Sequence, residues 1–256
     1  MATNTRIDLN CDMGESFGMY KMGLDEEVIK HISSASIACG FHAGDPTWMR
    51  RTVQLAEERG VAVGAHPSYP DLVGFGRRNM DLTPDEVKDD LKYQIGALQA
   101  FTSGGRLQHV KPHGAMYNQA VSDESLAGAI CEAVLGIDPS LILVALSGSR
   151  WADIAEEMGL RMAREVFADR ALNADGTLVS RREKGAVLHD VEAVVARSLT
   201  MVTEGTATAV TGELIEVRAD SLCIHGDTPE AVEMAAALKG AFDAAGVVVT
   251  SMGNLV

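Results

Sequence analysis

The sequence predicts an α/β protein, specifically an irregular (β/α) barrel of about seven strands. Two patterns carry that prediction. Short apolar runs alternate about seven times with longer amphipathic stretches, and such alternation builds a parallel sheet with helical crossovers. Polar, titratable residues follow nearly every run at the same end, as they do where barrel strands deliver their loops to one face. An open doubly wound sheet would satisfy the first pattern. The chain has neither a G-x-G-x-x-G fingerprint nor a Walker A sequence, however, and the barrel is the preferred closure.

The apolar runs are, in order, Ile7–Leu9, Ile37–Cys39, Val61–Ala65, Val110, Leu141–Leu146, Met162–Phe167, Leu222–Ile224 and Val247–Val249. Most read as parallel strands buried on both faces. Helix starts are legible between them. Asp45-Pro46, Thr83-Pro84 and Thr228-Pro229 each place a capping side chain before a proline at the first helical position, and Thr83 with Glu86 fits a capping box. Apolar residues then recur at helical spacing: Val87, Leu91, Ile95 and Leu98; Leu126, Ile130 and Val134; Trp151, Ile154 and Met158. Gly60 and Gly159 fall where helices would end. Two stretches, 67–81 and 168–185, carry neither period and read as long binding or lid loops. Residues 206–219 alternate around Gly212 and read as a small hairpin, so 1–256 is taken as one barrel domain with that insertion.

Composition narrows the function. The 256 residues carry 36 acidic and 22 basic side chains, a formal charge of −14, which argues against a nucleic-acid binder. A hydrophobic content of 46% argues against disorder. No apolar run is long enough for a membrane span and no secretory signal is visible, so a cytoplasmic protein is expected. Cys11, Cys39, Cys131 and Cys223 form no CxxC pair; those inside strand ends read as buried packing residues.

The candidate site residues are those at the strand ends. The first strand supplies Asp8, Asn10 and Asp12, followed by Glu15; the second leads to His42, the third to His66, and the fourth to Lys111 and His113. The fifth leads to Ser147 and Ser149, the sixth to Glu165, Asp169 and Arg170, and the seventh to His225 and Asp227. Asp8 alternates within its strand and reads as an inward-pointing supporting residue, while Asp12 and Glu15 have helix capping as an alternative. His31, His109 and His189 fall on helix or surface patterns and receive no role. Ser147-Gly148-Ser149 lacks the full nucleophile elbow. Carboxylates and imidazoles from several strands suit a divalent metal, but there is no short-range ligand signature and Lys111 opposes a neighbouring cation, so the metal is left unassigned.

The segments DLNCDMGESFG (8–18), ACGFHAGDP (38–46), GAHPSYPD (64–71) with GFGRR (74–78), VKPHGAMYN (110–118), EVFADR (165–170) with DGTLVSR (175–181), and CIHGDTPEAV (223–232) resemble the LamB/YcsF family. The resemblance spans nearly the whole chain. It implies a seven-stranded barrel akin to those of glycosidases and polysaccharide deacetylases. It also implies an activity, ATP-dependent opening of the lactam 5-oxo-L-proline to L-glutamate, in a complex with oxoprolinase subunits B and C. ATP would be the co-substrate, with Mg²⁺ accompanying it or a site-bound ion as a second possibility. Self-association is left open.

Lactam hydrolysis suits these residues. The amine and acyl group of the opened ring stay tethered, so re-closure is favoured and ATP coupling is the natural remedy. Asp12 is expected to act as general base, His66 or His113 as proton donor, and Lys111 as the charge that stabilises oxygen or phosphate. Arg78 or Arg181 would hold the substrate carboxylate or phosphate, and Asn10, Glu15, His42 and His225 would orient the others. The nearest phosphate loop is Gly74-Phe75-Gly76 before Arg77 and Arg78, a weak candidate, which favours phosphorylation on the partner subunits. Two alternatives are a metal-dependent carbohydrate deacetylase-like hydrolase and a non-catalytic substrate-delivery protein.

Overall fold

The computed structural model describes residues 5–225 and 229–256. Seven parallel strands close into a barrel: β1 (Arg6–Met13), β2 (Ser34–Ala38), β3 (Ala62–His66), β4 (His109–Val110), β5 (Ile142–Leu146), β6 (Arg161–Phe167) and β9 (Ser221–Ile224), with β9 pairing to both β6 and β1. Between β6 and β9 lies an antiparallel hairpin, β7 (Thr206–Thr208) and β8 (Leu214–Glu216), within the stretch where one is expected. The last apolar run departs from expectation. Its strand β10 (Val248–Val249) pairs with β1 only at Arg6 and Ile7, and β9 takes over from Asp8, so β10 is outside the closed ring.

The crossovers are helical, with α2 (Pro46–Arg59), α3 (Pro84–Gln99), α5 (Glu124–Ile137), α6 (Arg150–Glu157) and α8 (Pro229–Ala244) among them. Their starts follow the sequence signals. The Asp45 carboxylate accepts from the Thr47 and Trp48 amides, and Thr83 and Glu86 form the reciprocal capping box. Gly60 ends α2 at φ 67°, a left-handed conformation that glycine adopts without strain. Asp227 and the expected Thr228 cap lie outside the described residues.

The strands separate two environments. Leu9, Ile37, Ala65, Val110, Leu143, Val166 and Leu222 face outward into the main apolar core beneath the helices. The alternate residues face the barrel axis, and there Ile142, Val144 and Ala163 pack with Met252 of a terminal 3₁₀ turn (Met252–Asn254). The remaining inward positions are largely polar, so β1 is an alternating strand rather than a continuous apolar run. His109 also differs from expectation. It is fully buried inside the barrel, 3.2 Å from Ser36 Oγ, and a Cβ at Gly64 would overlap its ring. A two-residue strand offers no periodicity from which to read this.

Candidate active site

A polar network climbs the barrel axis from the strand starts. Asp8 accepts hydrogen bonds from the hydroxyls of Ser33, Ser34 and Ser221 at 2.7, 2.5 and 2.5 Å. Burial outweighs these bonds and raises its pKa to about 6. One level higher, Asn10 Nδ2 donates to Ser221 Oγ at 2.7 Å and Glu165 Oε1 at 2.9 Å, while its Oδ1 accepts from Lys111 Nζ at 2.9 Å. Lys111 Nζ is then 3.0 Å from Glu165 Oε1, 2.8 Å from Asp12 Oδ1 and 3.1 Å from Cys223 Sγ. Burial works against its charge, yet Asp12, Cys223 and Glu165 hold its pKa well above the ordinary lysine value. Burial would likewise raise Asp12, but His66 and Lys111 overcome it and keep the carboxylate ionised well below its usual range. Neither Asp12 nor Glu15 caps a helix; the capping duty nearby falls to Asp45, and Asp25 accepts from the Gly14 amide.

Above Asp12 stand three imidazoles. His66 Nε2 is 3.3 Å from Asp12 Oδ2, and His66 Nδ1 donates to the Lys111 carbonyl at 2.6 Å. His113 Nε2 donates to the Phe75 carbonyl at 2.9 Å, which turns its Nδ1 toward His66 Nε2, 2.9 Å away. His42 stacks on His113 with ring centroids 3.8 Å apart, and its Nε2 is 3.0 Å from Glu15 Oε1. Burial lowers the pKa of both His42 and His113 well below the usual histidine value.

The long loop 67–81 is a clasp over these rings. Phe75 has a left-handed φ of 55°, which delivers its carbonyl to His113. Gly76, at φ 64°, leaves no room for a side chain: a Cβ would stand 2.8 Å from His113 Cδ2 and from His42 Cβ. Gly74-Phe75-Gly76, considered above for phosphate, is therefore closed around histidines. The Arg78 guanidinium, at the cavity's edge, is held by Asp71 within the same loop.

A cavity of about 690 Å³ opens above this floor, lined by Asp12, Glu15, His66, Lys111 and His113, with Arg77, Arg78, Arg170, Arg181 and Arg182 around it. Arg181 Nη2 donates to His225 Nε2 at 2.7 Å, so His225 Nδ1 carries the proton donated to Asp169 at 2.9 Å. Of the serines, Ser149 caps α6 and Ser147 Oγ accepts from the Arg218 amide, so neither stands as a nucleophile. The structure thus brings together Asp8, Asn10, Asp12, Glu15, His42, His66, Lys111, His113 and His225, the last with a ring nitrogen within 4.8 Å of Asp12 and Cys223. Sequence reasoning placed Glu165 among the strand-end residues without a role, and it completes the Lys111 pairing; Cys223, read as a buried packing residue, is buried and also touches Lys111. The signal for Cys223 was the alternation of its strand, which places it on the same face as His225. Burial pushes the Cys223 thiol well up despite Lys111, which makes it a poor nucleophile.

Fold and site together define a closed parallel (β/α) barrel whose strand ends carry a carboxylate–lysine–imidazole cluster beneath an arginine-lined cavity. The chain belongs to the LamB/YcsF family, whose model matches residues 7–256. It is 58% identical over 253 residues to the 5-oxoprolinase A subunit of Thermococcus onnurineus, covering 98% of this chain and 99% of that protein. The crystal structure of the lactam utilization protein from Thermus thermophilus superimposes with a TM-score of 0.91 at 48% identity, covering 96% of this chain and 99% of that one. The T48 deacetylase shares the fold at a TM-score of 0.50 and 15% identity, covering 99% of this chain and 92% of its own. No helix among the described residues is long and apolar enough to cross a membrane.

Proposed function

We propose that this chain is the lactam-opening component of an ATP-dependent 5-oxoprolinase, acting on a lactam that partner subunits B and C have phosphorylated on its amide oxygen. The observation that carries the reading is the Asp12–Lys111 pair at the floor of a cavity lined by five arginines, in a chain whose net charge is −14. Concentrating cations there suits a ligand bearing phosphate and carboxylate. The names of the close relatives support the same assignment.

In this reading Asp12 takes a proton from water as it adds to the activated ring carbon, and Lys111 stabilises the charge developing on oxygen. Asp12 then returns its proton to the ring nitrogen, and as the carbon–nitrogen bond breaks the added hydroxyl re-forms a carbonyl and passes its proton to Asp12, which leaves an acyl phosphate and a free amine. A second water releases phosphate and leaves L-glutamate. His66 and His113 are expected from sequence as donors, but their N–H groups are spent on backbone carbonyls; we route the proton through Asp12 and have the imidazoles position it. Arg181 binds the anionic end of the substrate, and ATP is bound by the partners.

The test is glutamate release from 5-oxoproline by the chain alone and reconstituted with subunits B and C, with and without ATP. Turnover only in the complete ATP-containing mixture, abolished by Asp12→Asn, is expected. Full turnover by a folded Asp12→Asn complex would make this a delivery protein instead.

A further inference from the structure

The facing nitrogens of His66 and His113 pose a problem that the lactam reading does not address. The Lys111 carbonyl, 2.6 Å from His66 Nδ1, can only accept, so that nitrogen carries a proton. The Phe75 carbonyl, 2.9 Å from His113 Nε2, imposes the same on His113. In the neutral rings the other two nitrogens, His66 Nε2 and His113 Nδ1, are bare lone pairs, yet they point at each other across 2.9 Å. Carboxylate oxygens crowd the same space: Asp12 Oδ2 is 3.3 Å from His66 Nε2, and Glu15 Oε1 is 3.6 Å from His113 Nδ1. Lone pairs converging from four directions repel unless a cation lies among them.

We propose that Glu15, His42, His66 and His113 form a binding site for one divalent transition-metal cation of the Zn²⁺ type. One ligand atom from each residue lies within 4.8 Å of all the others, so modest closure gives a shell with metal–ligand distances of about 2.0–2.2 Å. The imidazoles are already oriented as metal ligands are, each of His66 and His113 fixed by a backbone carbonyl on its far nitrogen. His42 Nδ1 has no hydrogen-bond partner among the described residues, and its Nε2, 3.0 Å from Glu15 Oε1, gives up the proton it shares with that carboxylate on ligation. Charge favours a dication over a shared proton. Asp12 and Glu15 lie against the imidazoles, and Lys111, the ammonium nearest them, is shared between Asp12 and Glu165; the arginines line the cavity around this cluster. The opposition of Lys111 to a cation is offset in this reading by its pairing with Asp12, which stands between it and His66, and with Glu165. Three imidazoles and one carboxylate suit zinc better than magnesium or calcium, which prefer oxygen. The inference goes beyond the lactam reading and does not rest on it.

The experiment titrates chelator-stripped full-length chain with Zn²⁺, followed by calorimetry and elemental analysis, with Co²⁺ as a visible-absorption probe and Mg²⁺ as comparison. One equivalent of Zn²⁺ per chain, a tetrahedral-type Co²⁺ spectrum and no competition by Mg²⁺ are expected. Removing an outer partner of a metal ligand costs about 10–100-fold in affinity, so His113→Ala and Glu15→Gln, which remove ligands, are expected to lose at least that much. His189→Ala, in an exposed histidine outside the cluster, is expected to bind as the parent does. Substoichiometric binding by the parent, or an undiminished equivalent in His113→Ala, overturns the proposal. Because those variants can misfold, imidazole ¹⁵N spectra of the unmodified protein give a second readout. Zn²⁺ should shift His66 Nε2 and His113 Nδ1, whereas a proton found on either nitrogen and undisturbed by Zn²⁺ rules the metal out. Neither measurement involves turnover, so failure here leaves the lactam reading standing.

Discussion

Lys111 Nζ lies 2.8 Å from Asp12 Oδ1, joining the fourth barrel strand to the first on a lysine side chain only 3% exposed. With Glu165 on its other side, this ammonium is the counter-charge for two carboxylates. Removing one partner of a buried pair costs about 3–5 kcal/mol, because a charge is left without compensation. Lys111→Met is therefore expected to lower the denaturant midpoint and abolish turnover. Adding Glu165→Gln should recover part of the stability and none of the activity, which equilibrium unfolding of the single and double variants will show.

Asp8 predicts a pH dependence of opposite sign to that of most carboxylates. Burial raises it from 3.8 to about 6, so between those values the folded chain holds a proton that the unfolded chain releases. Its favourable contribution is complete below about pH 4 and is lost as pH rises through about 6. A shift of this size is worth about 3 kcal/mol. In Asp8→Asn that falling segment should vanish from the stability–pH curve, measured as the difference between the two proteins from pH 4 to 7.

Gly76 seals the clasp over His42 and His113, and a methyl group there collides with both. Gly76→Ala adds a left-handed backbone penalty of about 1–2 kcal/mol to an overpacking cost of about 1–3 kcal/mol. Gly60→Ala is the control, because Gly60 has a similar φ of 67° with nothing within 4 Å of the added carbon. The Tm of Gly76→Ala should fall further than that of Gly60→Ala, and only the former should impair turnover.

The two loop arginines separate on the same logic. Arg181 reaches the cavity and donates to His225, whereas Arg78 is occupied by Asp71. Loss of a hydrogen bond to a charged group costs about 1.5–3 kcal/mol, or tenfold and more in binding. Arg181→Gln should raise KM in the reconstituted assay by at least that factor with kcat little changed, while Arg78→Gln should shift KM less.

Much of this architecture was legible in the residues because local signals and long-range packing agreed. The caps at Asp45 and Thr83 are decided within four residues, and the structure builds both. The strand-end polar residues were legible because a parallel barrel must carry its polar groups to one face. What stayed hidden depends on pairings across long separations. Lys111 meets Glu165 only because β4 and β6 flank β5. His109 enters the barrel because Gly64, on the neighbouring strand, vacates the space. Phe75 matters through its carbonyl, which no side-chain pattern announces.

Asp8, Asn10 and Asp12 occupy alternate places on a single strand whose other face is Ile7, Leu9, Cys11 and Met13. A shift of β1 by one residue would exchange the two sets, turning greasy side chains onto the axis and carboxylates into the helical shell. Insertions in the surface loops can drift over evolutionary time, but one residue gained or lost within 6–13 removes the chemistry and the core together. Selection for a folded barrel therefore also preserves the placement of the reactive positions, and a chain that matures to a stable molecule already turns residues 8, 10 and 12 onto the axis.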